Sequence, residues 1–300
     1  MSIIIILSTL SLLIYSINKM TYIIEASNQN KIKNVLNKFT KNIFLSFITG
    51  IVVCLITQSS SIITILIISL VSSKTLSIEK GLAIIIGANI GTTLISLIIT
   101  LDIGSFYFLF ILLGVIIFFL KKHFFAEILI YLGLIFLSLD ILEKELISLF
   151  SSTFLNNLLM KATNPITGIL SGTFFSFLIQ SSSATIALTQ KLYMNNLISA
   201  SLGTSIMLGA NIGTTISGLI FSLNCDTSAK RVSLASLLFN LFGVLLTLPF
   251  LYIYKDIINN FKSIYLISTL HIYFNIITGF IGLFFIKPLC NISCFLIKEK

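Results

Sequence analysis

Two polar clusters interrupt this apolar chain, and each occurs twice. Gln58-Ser59-Ser60-Ser61 returns as Gln180-Ser181-Ser182-Ser183, and a Gly-Ala-Asn-Ile-Gly-Thr-Thr block around Asn89 returns around Asn211. Both pairs are offset by 122 residues, and in each copy the Asn stands 31 positions after the Gln. A chain that duplicates its few uncharged polar clusters inside apolar sequence points to a transporter built from two halves around one polar site.

Composition restricts the class. The chain is 56% hydrophobic and 10% charged, with a mean hydropathy of +1.08, whereas a soluble domain carries about 25% charged residues. No polar stretch is long enough for a separate soluble domain, so residues 1–300 read as one membrane transport domain. The apolar runs are continuous rather than alternating, which favours helices over a barrel. The net charge of +9 belongs with lysines in short loops that meet lipid headgroups. No interleaved aromatic–basic pattern is present, and nucleic acid is not an expected partner. Cys54, Cys225, Cys290 and Cys294 read as free thiols, because no CxxC pair or nearby His or carboxylate has metal-ligand spacing.

Along the chain, residues 3–17 read as a tilted span and 19–42 as a helix lying in the interface, with Ile32, Val35, Leu36 and Phe39 at helical spacing. Residues 43–73 are apolar but broken by Gln58 and the serines. Each half is too short to cross a bilayer, which needs about 20 residues, so a re-entrant helical hairpin is expected. Spans follow at 81–101, 104–120 and 125–141, then a polar stretch at 143–164. A second hairpin at 165–194, a long motif helix at 197–223 and spans at 232–254 and 264–286 complete the chain. The expectation is an all-α polytopic membrane protein with about seven spanning helices and two repeats, about 3–120 and 125–254, before a final helix. Three spans separate the hairpins, so the copies would insert in opposite directions as an inverted repeat. With 19–42 inside, fourteen basic residues fall on the cytoplasmic side. Lys144, Lys161, Lys191, Lys255 and Lys262 fall outside. That places the N-terminus outside and the C-terminus inside a cytoplasmic membrane.

The motifs suit ion binding. Gln and Ser offer carbonyl and hydroxyl oxygens together with N–H and O–H donors, and a helix break frees further backbone groups. Na⁺ takes several oxygen ligands, whereas an oxyanion takes donors and helix N-termini. No Lys or Arg lies in either motif, so an anion would be held by dipoles, hydroxyls and co-bound cations, the physical basis of symport. Candidate residues are therefore Gln58, Ser59, Ser60, Ser61, Asn89, Thr92, Thr93, Gln180, Ser181, Ser182, Ser183, Asn211, Thr214 and Thr215. Gly87, Gly91, Gly209 and Gly213 have the GxxxG spacing of close helix packing. Asp102 and Asp226 follow the motif helices and read as loop carboxylates or an extra cation site. Glu143, Lys144 and Glu145 read as a solvated run.

At the doubled motifs the chain resembles the type II sodium–phosphate cotransporter family, including its bacterial members, over about residues 43–286. The resemblance implies sodium-coupled uptake of inorganic phosphate by alternating access, with the Gln-Ser-Ser-Ser residues at the substrate and sodium sites. It implies no cofactor beyond Na⁺ as coupling ion and no enzymatic activity. His271-Ile-Tyr-Phe274-Asn275 looks like the family's late His-x-x-Phe-Asn element, which makes His271 and Asn275 secondary candidates. Asn240 is another, although Ser236 stands where bacterial members commonly have His. For His271 the plainer reading is a hydrogen bond in helix packing. Some bacterial members carry a helical regulatory domain after the membrane part, and this sequence ends fourteen residues past the last expected span. Alternatives are a transporter of another oxyanion, a transport-silent phosphate sensor, and an intramembrane serine hydrolase. The hydrolase is disfavoured because no base or orienting carboxylate accompanies either serine cluster.

Overall fold

A computed structural model describes residues 2–99, 107–121, 123–150, 164–260, 263 and 265–298. Every regular element among them is a helix. The first is α1 (Ser2–Phe39). It continues unbroken through the expected boundary between span and interfacial helix, because no Gly or Pro occurs from residue 2 to 39 and polarity alone does not stop a helix. α6 (His123–Phe150) likewise runs past the expected end of its span at 141. The rest of the polar stretch, 151–163, lies outside the described residues, as do Asp102, Lys161 and Lys262.

The hairpins form as their sequences require. α2 (Ile43–Thr57) and α3 (Ser60–Ser72) make the first, and α7 (Pro165–Ile179) and α8 (Ser182–Met194) the second. All four bounds repeat at the 122-residue offset. The motif helices are α4 (Ile78–Ile99) and α9 (Ala200–Ser222). The remaining helices are α5 (Tyr107–Phe119), α10 (Thr227–Ile253), the short α11 (Lys255–Asn260) and α12 (Leu266–Leu296). α12 extends ten residues beyond its expected end at 286. Among the described residues four helices are long and apolar enough to cross a membrane by length and composition: residues 123–145 of α6, and α9, α10 and α12. The others expected to span include shorter apolar helices, 4–20 and Tyr107–Phe119.

Each motif helix packs on the first arm of its own hairpin at backbone distance. A Cβ added to Gly87 would meet the carbonyl oxygen of Phe47, and one added to Gly209 would meet that of Ile169. Gly50 and Gly172 face the carbonyls of Ile84 and Ile206 in the same way. Each such contact recurs at the 122-residue offset. The GxxxG glycines therefore serve close packing, as small residues do where helices meet in lipid.

Contact order along the helices fixes their directions. Ser96 meets His271, Ile90 meets Gly279 and Ile86 meets Gly282, so α4 runs antiparallel to α12. Gly203 meets Ile267 and Asn211 meets Asn275, so α9 runs parallel to it. The two motif helices thus run in opposite senses. α12 covers α4 much as α10 covers α9, while α5 packs on α6.

One apolar core joins α2, α3, α4, α10 and α12 around Phe47, Ile67, Ile84 and Phe239. A second joins α1 and α6 to the second hairpin through Leu13, Leu139, Ile179 and Ala187. Phe44, Ile48 and Val52 form an exposed apolar stripe on α2, and Ile166, Leu170 and Phe174 repeat it on α7. Paired stripes of this kind belong against lipid tails rather than water.

Glu143 departs from the expected solvated run. Lys191, a buried residue on α8, pairs with its carboxylate, and Asn195 Nδ2 donates to Glu143 Oε1 at 2.6 Å. Lys144 pairs instead with Asp140 at 2.7 Å. Asp226 is the N-cap of α10, accepting from the Ala229 amide at 3.0 Å. Burial raises its carboxyl pKa, but hydrogen bonds from Ala229, Ser72 and Ser228 outweigh that, and it sits below its ordinary value.

Gly87→Ala and Gly209→Ala should each lower stability by about 1–3 kcal/mol, the range for overpacking. Thermal unfolding in detergent measures this, and wild-type melting in both variants would refute the close backbone contact.

Candidate functional site

Gln58 and Gln180 end the first arm of each hairpin in the left-handed region, at φ 55° and 56°. This conformation costs an L-residue about 1–2 kcal/mol, and it turns the chain sharply enough for the next residue to start a new helix. Ser59 and Ser181 are those N-caps. Ser59 Oγ accepts from the Ile62 amide at 3.4 Å, and Ser181 Oγ from the Ala184 amide at 3.2 Å. The two following serines of each block occupy the first turn of α3 or α8, where backbone amides have no intrahelical acceptor.

The two breaks meet. Ser61 Oγ donates to the carbonyl oxygen of Gln180 at 3.1 Å, across 119 positions of sequence. All eight Gln-Ser-Ser-Ser residues line one cavity of about 240 Å³, together with Thr92 of α4. Two helix N-termini border it, each equivalent to about half a positive charge. No Lys, Arg, Asp or Glu is among its described lining residues. Hydroxyls, amides and helix dipoles make the chamber chemically suited to a small anion with accompanying cations.

Thr92 reaches the chamber, and the other candidates stand behind it. Thr92 Oγ1 donates to the Ala88 carbonyl at 2.9 Å and touches Cys54 Sγ at 3.3 Å. Thr93, Thr214 and Thr215 bond back to their own helices, at Ile90, Asn211 and Ile212. Asn89 Nδ2 donates to Asn240 Oδ1 at 3.3 Å, which ties α4 to α10. Asn211 ties α9 to α12, because its Oδ1 lies 3.3 Å from His271 Nε2 and 3.4 Å from Asn275 Nδ2. His271 Nδ1 lies 3.1 Å from Ser96 Oγ, whose hydroxyl donates to the Thr93 carbonyl of its own helix at 2.8 Å. His271 is fully buried and bridges α4, α9 and α12, which fits the packing reading. Asn275 Oδ1 and Ser236 Oγ are buried without a hydrogen-bond partner among the described residues.

Sequence reasoning missed the third wall. Ile17, Asn18 and Tyr22 of α1 also line the chamber. Two polar residues one turn apart, with no copy of the same residues in the second repeat, carried no signal of their own.

Known proteins share these motifs. The Na⁺/Pi-cotransporter family matches the chain twice, over residues 12–144 and 142–278. YjbB of Escherichia coli (strain K12), whose name describes inorganic phosphate export, is 31% identical over 231 residues, which cover 75% of this chain and 42% of YjbB. The chain thus spans about two-fifths of that relative's length. YqeW of Bacillus subtilis (strain 168) is 29% identical over 236 residues, 74% of each protein. The human sodium-dependent phosphate transport protein 2B shares 40% identity over 60 residues, 20% of this chain and 9% of its own. No solved structure matches significantly.

Because the left-handed turns need no side chain, Gln58→Gly and Gln180→Gly should melt within about 1 kcal/mol of the parent. Gln58→Val, β-branched in that conformation, should lose about 1–2 kcal/mol. Equal melting of the Gly and Val variants would remove the strained turn from the account.

Proposed function

This chain belongs to the Na⁺/Pi-cotransporter family, and from that premise we propose that it carries inorganic phosphate across the cytoplasmic membrane together with Na⁺, by alternating access. The observation behind this reading is the meeting of both Gln-Ser-Ser-Ser breaks at one chamber. Phosphate is held there by hydroxyls, amides and two helix N-termini, without a basic side chain. Bound Na⁺ supplies the missing positive charge, so cation and anion bind together and move together. An inward-negative membrane potential adds about 2.3 kcal/mol per net elementary charge per 100 mV. Asn240, His271 and Asn275 are second-tier residues behind the chamber, where Asn275 Oδ1 is a buried oxygen without a partner among the described residues and His271 holds the helices in register.

The two copies work as an inverted repeat, one hairpin entering from each side, with the motif helices in opposite senses. Rocking one copy against the other would expose the chamber alternately to each face. The name of YjbB favours a second reading of direction, net phosphate release from the cell. Both directions use the same chamber, and the gradients decide between them. Other tetrahedral oxyanions of similar size would compete for it.

Radiolabelled phosphate uptake into proteoliposomes holding the purified chain tests the proposal. Accumulation with an inward Na⁺ gradient and none with an equal K⁺ gradient is the expected result; equal uptake with both ions would end the sodium-coupled reading. Ser60→Ala and Ser182→Ala should reduce uptake about tenfold or more, in keeping with one lost charge-assisted contact each. Cysteines placed at Ser73 and Asn195 should react with impermeant reagents from opposite sides, and labelling from one side would refute the inversion.

A further inference from the structure

The phosphate reading accounts for both Gln-Ser-Ser-Ser breaks but leaves the α1 wall of their chamber without a role. Asn18 and Tyr22 stand one helical turn apart on that wall. Both are exposed, Tyr22 at 65%, so they lie at the open side of the chamber rather than in its packed floor. Tyr22 also lines a second cavity, of about 360 Å³, with Lys19, Glu127 and Tyr131. The two cavities therefore adjoin at Tyr22.

The sequence duplication supplies an internal control. The positions 122 residues after Asn18 and Tyr22 are Asp140 and Lys144 of α6. Those two pair with each other at 2.7 Å, and Asp140 also accepts from the Tyr107 hydroxyl at 3.2 Å. Neither lines the chamber, and nor does Thr214, the counterpart of Thr92. The chamber is thus lined asymmetrically, with α1 and Thr92 contributing where their counterparts in the second repeat do not.

Charge follows the same asymmetry. Lys19 is the cation nearest in sequence to this wall, and its Nζ lies 5.9 Å from the centroid of the Tyr15 ring. No carboxylate pairs with Lys19 among the described residues, although Glu127 lines the same outer cavity. An ammonium held near an aromatic face keeps its positive charge available to an anion.

We propose that Lys19, Asn18 and Tyr22 form a vestibule that feeds the anion chamber. Lys19 concentrates the oxyanion beside Tyr22, and the Tyr22 hydroxyl and Asn18 amide pass it to the serine clusters. The inference rests on the phosphate reading of that chamber. A single cation at the mouth of a site acts on capture more than on turnover, and salt weakens it.

Two readouts on the purified full chain test it with radiolabelled inorganic phosphate: Na⁺-driven uptake in proteoliposomes, and equilibrium binding in detergent. Lys19→Gln should raise the half-saturating phosphate concentration about tenfold at low ionic strength and far less at high ionic strength, with the maximal rate kept. Asn18→Asp, which puts an anion beside the substrate, should weaken binding by about tenfold, and Asn18→Gln should restore it. Lys144→Gln should behave as the parent. A purely structural role for α1 would lower the maximal rate without dependence on salt. Parental values in both Lys19→Gln and Asn18→Asp would overturn the vestibule. A chain that binds phosphate but does not move it would sink transport alone, since the binding constants still judge the vestibule. A chain that does neither overturns both.

Discussion

The backbone contact between each motif helix and its hairpin holds the rest of the structure in place. In lipid, two helices gain nothing from apolar burial alone, because acyl chains are as apolar as Leu; they gain from close approach. The glycines at 50, 87, 172 and 209 remove the side chains that would hold the backbones apart. With α2 on α4 and α7 on α9 fixed in this way, the depth of each hairpin tip is set. Only with both depths set can Ser61 reach the Gln180 carbonyl. A broken helix inside a membrane would otherwise expose unpaired amides, at a cost of several kcal/mol each.

The polar residues separate into two layers with different work. The chamber layer consists of Gln, Ser and Thr side chains with spare donors and acceptors. Behind it, Asn89, Asn211, Asn240, His271 and Asn275 spend their hydrogen bonds on one another and on neighbouring helices. Hydroxyls and Gln amides thus face the chamber at one depth, while Asn and His side chains brace the helices at the next.

Much of this was legible from sequence, and the limits have physical reasons. The hairpins were readable because Gln58 and Gln180 break apolar runs too short to span, and the observed helix bounds follow the duplicated motif residue for residue. The Asn motifs looked like ligands because an amide in lipid demands a partner. That partner, Asn240 or Asn275, lay too far along the chain for spacing to reveal. Residues 19–42 looked interfacial because polarity changes at Asn18, yet helix continuity depends on backbone preferences, and nothing there opposes it. Glu143 looked solvated because Lys191 sits 48 positions away, on a helix whose facing direction only packing decides.

The long reach of the brace also sets an order of assembly. Asn89 waits for Asn240, 151 residues later, and Ser96 waits for His271, 175 residues later. At ordinary translation speeds the gap is on the order of ten seconds. During it, α4 rests in the bilayer without the Asn240 partner of its amide, held by its contacts with α2 and α3. The first half of the protein is therefore a provisional structure during synthesis, and its polar interior closes only after the last long helix has left the ribosome.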